Sequence, residues 1–184
     1  MPARRRPDVT SLELVGGPEP VTVGIHGYDP SWPVAFAEHR DRIRLALTGR
    51  QIQIAHIGST SVPGLAAKPI IDILVTVDDI TAEEDYLDAL LGAGYALRVR
   101  EPGHRLVRTP QRDVHVHVCE QDARAVDEYL LLRDRLRTDA ADRALYERTK
   151  RELMQRDWDD MNAYADAKTA VIDAIKERAR AARR

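Results

Sequence analysis

Three groups of side chains in this sequence have types and spacings that could do chemistry. The first is Gly58-Ser59-Thr60-Ser61. Glycine lets the backbone bend close to a ligand, and successive N–H groups with hydroxyls suit phosphate oxygens. Lys68 follows and would add positive charge. The same residues could equally form an ordinary Ser/Thr-rich turn whose hydroxyls bond their own backbone. The second is Asp72, the only charge between Pro69 and Val77. An ionised carboxylate buried in such a run is costly unless a metal, a cation or several N–H donors meet it. Isolated acids of this kind concentrate at functional sites, although amides of the Gly-Ser turn could also hold one for structural reasons. The third is His115-Val116-His117-Val118-Cys119. Strand periodicity puts His115, His117 and Cys119 on one face and the valines on the other. Two imidazoles so spaced can bind a borderline metal, or one can act as a base; they could also be a solvent-facing stripe. No closed set of four ligands accompanies them, which argues against a structural zinc centre. Jointly, a Gly-Ser turn followed by an acid on a buried strand suits phosphate and metal: the turn holds a polyphosphate and the acid brings a divalent ion.

The elements that must position these groups are readable from pattern. Ile52, Ile54 and His56 alternate as a strand that runs into the Gly-Ser turn. Pro63 and Gly64 keep the next segment irregular. Residues 70–77 are apolar at both parities, which predicts a central strand covered on two faces. Upstream, Ser31 is the expected N-cap of a helix carrying Trp32, Phe36, Ile43 and Leu47 on one stripe, ended by Gly49. Thr81 with Glu84 predicts a capping box for a helix burying Leu87, Leu90 and Leu91. Tyr95, Leu97 and Val99 predict a strand, Pro102-Gly103 a turn, residues 105–108 a returning strand, and residues 114–119 another after a turn at Thr109-Pro110. Beyond Asp122 the chain reads as two or three charged helices punctuated by Val126, Leu130, Leu131, Leu145, Leu153, Met154, Met161, Val171 and Ile175. Residues 1–27, including the β-prone Val21-Thr22-Val23, read as a surface-hugging arm with at most one edge strand; residues 28–184 form a single domain.

The bulk properties bound the function. A chain of 184 residues with 43% hydrophobic content can bury one good core. It has no run of about 18 apolar residues to span a membrane. Its basic amino terminus lacks the apolar stretch of a secretory signal. The lone Cys119 allows no internal disulfide and fits a reducing, cytoplasmic setting. A net charge of −2 with interspersed signs argues against a nucleic-acid binder. The Arg-rich residues 178–184 read as a solvated, fraying helix end.

Longer strings carry a family resemblance. Tyr28-Asp29-Pro30-Ser31-Trp32-Pro33, the segment from His56-Ile57-Gly58-Ser59-Thr60-Ser61-Val62-Pro63-Gly64 through Lys68-Pro69-Ile70-Ile71-Asp72-Ile73-Leu74-Val75, residues 115–118, residues 132–137 and the block from Tyr146 through Lys150 to Leu153 resemble the GrpB family over about residues 28–178. The resemblance implies an α/β (α+β) fold of the nucleotidyltransferase type: a mixed sheet flanked by helices, with a helical C-terminal half. In that superfamily a Gly-Ser pair contacts nucleotide phosphates and acids on neighbouring strands hold divalent metal; Gly58, Ser59 and Asp72 match. The usual second acid falls at Leu74, and where a third is expected this chain offers His115 or His117. Magnesium prefers oxygen ligands, so such a set points to one metal, Mn²⁺ rather than Mg²⁺, or to none. Similar domains occur attached to dephospho-CoA kinases.

The resulting expectation is a protein that binds a nucleoside triphosphate and Mg²⁺ or Mn²⁺ and transfers a nucleotidyl or phosphoryl group to a small acceptor. Gly58, Ser59, Thr60, Ser61 and Lys68 would bind phosphates, and Asp72 would anchor the metal. His117 or His115 would complete coordination or take the acceptor's proton. Arg133, Arg137, Lys150 and His56 would serve the acceptor, although surface ion pairing accounts for the helical cations equally well. The alternatives are a non-catalytic nucleotide- or CoA-related binding module with a degraded metal site, and a hydrolase with a metal on His56, His115 and His117.

Overall fold

The computed structural model describes residues 4–19, 24–156 and 161–183, with the backbone alone over 161–166. Its centre is β3 (Ile71–Val77), which the apolar residues at both parities drive to the inside of a sheet. One neighbour is β2 (Ile54–Ile57), antiparallel; the other is β6 (Val114–Glu120), parallel. With β1 (Glu13–Leu14), β4 (Ala96–Glu101) and β5 (His104–Arg108), the six-stranded order is β1-β4-β5-β6-β3-β2. The mixed α/β class expected from the sequence is the one observed.

Alternation along the strands sorts their side chains. Ile71, Ile73, Val75 and Val77 join Val114, Val116 and Val118 on one face. They pack on Trp32, Ile43 and Leu47 around α1 (Trp32–Ala46) and on Leu87 and Leu90 of α2 (Leu87–Gly92). The opposite face carries Ile57, Leu74 and Cys119 against Val126 of α3 (Arg124–Thr138). A third cluster joins Val62 and Leu65, just after the Gly-Ser turn, to Leu136, Tyr146 and Ile175. It thereby holds α3, α4 (Ala140–Met154) and α5 (Met161–Ala181) over that turn.

Several local expectations are corrected. Ser31 does not cap α1 with its side chain, because its backbone is already helical; Asp29 Oδ1 instead accepts the Ser31 N–H at 2.8 Å. The Thr81–Glu84 capping box does not form. Asp79 Oδ1 captures the Thr81 hydroxyl at 2.6 Å, and a 3₁₀ turn, Glu83–Asp85, precedes the short α2. Leu91, expected in the buried stripe, is 40% exposed. The Arg-rich end is not simply solvated: Arg178 Nε donates to Asp142 at 2.9 Å, tying α5 to α4, and Arg180 pairs with Glu128 of α3. The arm's edge strand is Glu13–Leu14, paired with β4. Val21-Thr22-Val23 and the side chain of Met161 lie outside the described residues. Among the described residues no helix is long and apolar enough to cross a membrane.

Candidate functional site

The site is built where β2 turns into β3. Gly58 has φ 71° and ψ −176°, a conformation that L side chains rarely adopt. A Cβ there would lie 2.5 Å from Asp72 Oδ2. Glycine is thus required twice, for the turn and for the carboxylate to approach it. Pairing of Ile57 with Asp72 sets that approach. The Asp72 side chain is half-buried (27% exposed) rather than buried as its apolar run suggested, because its outer edge opens into a cavity.

The parallel register matches Asp72 with His115 and Leu74 with His117, placing both imidazoles on the Asp72 face. His117 Nε2 lies 3.2 Å and His115 Nδ1 3.8 Å from Asp72 Oδ1. One ligand atom from each of Asp72, His115 and His117 falls within 4.8 Å of the others, a spacing that could hold a metal ion. Burial lowers the His115 pKa against the pull of Asp72, favouring a neutral ring with a free lone pair. Leu74 is 2% exposed among Ile57, Cys119 and Val126, so an acid there would sit in hydrocarbon. Behind His117, its Nδ1 is 3.0 Å from His104 Nε2, and His104 Nδ1 is 2.6 Å from Glu101 Oε1. Burial and the neighbouring His117 lower the His104 pKa.

Two cavities meet at Gly58, Ser59, Asp72 and Tyr146. The first, about 240 Å³, is lined by Lys68, Lys150 and Lys168 as well as Asp72 and His115. Lys150 Nζ donates to Ala66 O at 2.7 Å and Ser59 Oγ at 3.1 Å, and lies 4.8 Å from the Tyr146 ring centre. Burial, helped by the nearby Lys168 charge, pushes the Lys150 pKa down to about 8. Burial also lowers Lys68, and burial with the Lys68 charge lowers Lys168. Ammonium groups crowded into one half-enclosed space make it strongly attractive to an anion. The second cavity, about 210 Å³, has His117 and Arg133 beside Tyr129, Leu132 and Leu136, and is the more apolar.

Not every residue singled out from the sequence faces these cavities. Gly58, Ser59, Thr60, Lys68, Asp72, His115 and Lys150 line the first, and His117 and Arg133 the second. The Thr60 hydroxyl is spent on Ile70 O (2.9 Å), and that of Ser61 on Gly58 O (2.6 Å). Arg137 donates to Ser61 O at 2.8 Å, bracing the turn without lining either cavity. His56 projects from the other sheet face, stacked on Phe36 with ring centres 4.7 Å apart and bonded to Thr60 Oγ1 at 3.1 Å. Burial drives its pKa down to about 4, so it is neutral, but from the opposite sheet face it cannot join His115 and His117 around one metal. Sequence reasoning missed Lys168, Tyr129, Glu101 and His104. Only His104 left a trace: three residues after Glu101 across Pro102-Gly103, and on the same face as Leu106 of a strand that pairs with the His115–His117 strand.

Known proteins are similar to this chain in sequence and in fold. The UPF0157 protein of Streptomyces coelicolor is 66% identical over 181 residues, covering 98% of this chain and 97% of that protein. A dephospho-CoA kinase of Mycolicibacterium paratuberculosis is 30% identical over 169 residues, covering 76% of this chain but 42% of the kinase. The crystal structure of conserved protein GrpB from Enterococcus faecalis superposes with a TM-score of 0.74 at 32% identity, over 84% of this chain and 96% of that one. Residues 22–178 match the family described as GrpB protein. On that span, and with a relative so similar along its whole length, the chain belongs to the GrpB family.

Proposed function

We propose that this protein binds a nucleoside triphosphate with a divalent metal and transfers a nucleotidyl or phosphoryl group to a small acceptor. One observation carries the reading: three lysines and two members of the Asp72–His115–His117 trio wall the same cavity. Lysines would neutralise the polyphosphate while the trio holds a cation at its reacting end, the division of labour that phosphoryl and nucleotidyl transfer requires. The resemblance of the Gly58-Ser59 turn and Asp72 to the nucleotidyltransferase motif supports the same assignment.

The donor set decides which metal fits. Two donors each about 2.1 Å from one ion, at tetrahedral or octahedral angles, lie about 3.0–3.4 Å apart. The 3.2 Å Asp72–His117 pair meets this, and His115 at 3.8 Å needs a small side-chain adjustment. One carboxylate and two imidazoles suit a borderline ion such as Mn²⁺ better than Mg²⁺. Such an ion, when bound, would withdraw charge from a phosphate oxygen. The chain's own groups do the rest. Ser59 and Lys150, already bonded to each other, orient the phosphates. Lys68 and Lys168 hold their charge. Neutral His115, if not ligating, can accept the acceptor's proton. The apolar cavity beyond Asp72 would seat the acceptor between Tyr129 and Leu136.

A second reading, a non-catalytic nucleotide- or CoA-related accessory module, is favoured by Leu74 in place of a second acid and by the kinase match. Calorimetric titration with ATP and with CoA, each with and without Mn²⁺ or Mg²⁺, separates the two. Mn²⁺-dependent ATP binding that Asp72→Asn removes, with pyrophosphate or phosphate release once acceptors are added, is the expected result. Metal-independent binding without turnover supports the module, and no binding of either ligand ends both.

A further inference from the structure

The line of polar atoms running behind the metal trio has only a few ways to distribute its protons. Glu101 Oε1 can only accept, so the 2.6 Å contact requires a proton on His104 Nδ1. With His104 neutral, its Nε2 is bare and can only accept, so the 3.0 Å contact requires the proton of His117 on Nδ1. A neutral His117 then turns a bare Nε2 toward Asp72 Oδ1, 3.2 Å away. Two lone pairs facing each other at that distance repel unless a positive charge relieves them, either a divalent ion beside them or a second proton that makes His117 an imidazolium. These side chains are not loose: His104 and His117 are 16% and 17% exposed, and their rings stack with centres 5.2 Å apart. Left to Asp72 alone, His117 would put its proton on Nε2, where the carboxylate would accept it, and the ligand lone pair would be lost.

Building on the metal-site reading above, we propose that Glu101 and His104 are positioning residues. They hold His117 in the Nδ1-protonated tautomer, so that its Nε2 lone pair joins Asp72 and His115 in binding a divalent ion. The elements make this economical. Glu101 ends β4, His104 begins β5, and the Pro102-Gly103 turn brings them together, while antiparallel pairing of Leu106 with His117 lays β5 along β6. A hairpin that touches neither cavity thus reaches the metal through one ring. Outer hydrogen-bond partners of metal-bound histidines generally act this way, fixing tautomer and orientation.

The test has two arms, read on the full chain. In metal-free protein near pH 8, long-range ¹H–¹⁵N spectra of the imidazoles report the tautomer directly. His117 is expected with its proton on Nδ1 in the wild type, and with the proton moved to Nε2 in His104→Phe, which keeps a ring but offers no acceptor. His104→Gln supplies an amide oxygen and is expected to restore the wild-type tautomer. In the second arm, Mn²⁺ affinity should fall roughly 10–100-fold in His104→Phe and recover in His104→Gln. A wild-type His117 protonated on Nε2, an unchanged tautomer in His104→Phe, or equal Mn²⁺ affinity in wild type and His104→Phe overturns the inference. So does failure of His104→Gln to rescue although both variants melt like the wild type. Should the wild type bind no Mn²⁺ at all, the metal reading falls, and the spectra of the metal-free protein alone decide whether the hairpin sets the tautomer.

Discussion

A methyl group on Gly58 would have to enter the space of the Asp72 carboxylate, 2.5 Å from Oδ2, at a backbone angle that side chains avoid. Gly58→Ala should therefore destabilise the fold by roughly 1–3 kcal/mol in urea denaturation and, by displacing the carboxylate, weaken Mn²⁺ binding. A variant as stable as wild type with unchanged Mn²⁺ affinity would contradict that geometry. Lys150 makes a different kind of prediction. Burial holds its free-state pKa at about 8, so it is a cation below that pH and neutral above it. Calorimetric affinity for triphosphate should accordingly fall between pH 7 and pH 9, and fall less steeply in Lys150→Gln. At this scale the sequence revealed what was chemically out of place: an aspartate in an apolar run and a glycine before three hydroxyls. It concealed Lys168, which looks like any charge on a solvated helix and acquires a role only because α5 packs beside the turn.

Among the elements, the strands were legible because alternation is a local pattern, whereas the pairing of β3 with β6 was not. That register joins residues separated by the whole β4–β5 hairpin, and it alone puts His115 beside Asp72. The capping box failed for a local reason that spacing cannot express, since Asp79 competes for the same Thr81 hydroxyl. The arm shows how elements are locked together. Arg105, 2% exposed, donates to Asp8 of the arm at 2.6 Å and to Glu83 of the 3₁₀ turn at 2.7 Å. Burial pushes the Asp8 pKa up, but the Arg105 hydrogen bond with two backbone N–H donors outweighs it, and the acid stays ionised. Arg105→Met would leave the Asp8 carboxylate inside without its cation, while Glu83 keeps Arg100 at 2.8 Å, a loss of roughly 3–5 kcal/mol. Chemical denaturation measures it, and a change below about 1 kcal/mol, the range of an exposed pair, would show that the arm is not anchored there.

For the molecule as a whole, the mixed α/β class and the helical second half could be read from the chain. The two cavities could not, since each is bounded by parts that meet only after folding. The first takes its glycine turn and Lys68 from the sheet half, Lys150 from α4 and Lys168 from α5. Three lysines from separate parts line this one cavity, and a polyanion seated among them would work as mortar. Any ligand bound only by the folded chain raises its stability, by about 2.7 kcal/mol at a hundred times its dissociation constant. Pyrophosphate should thus raise the melting temperature at low ionic strength, more than sulfate does at equal concentration, and the gain should shrink as sodium chloride screens the lysines. Occupancy and cohesion would then be a single quantity, read as heat resistance before any acceptor is known.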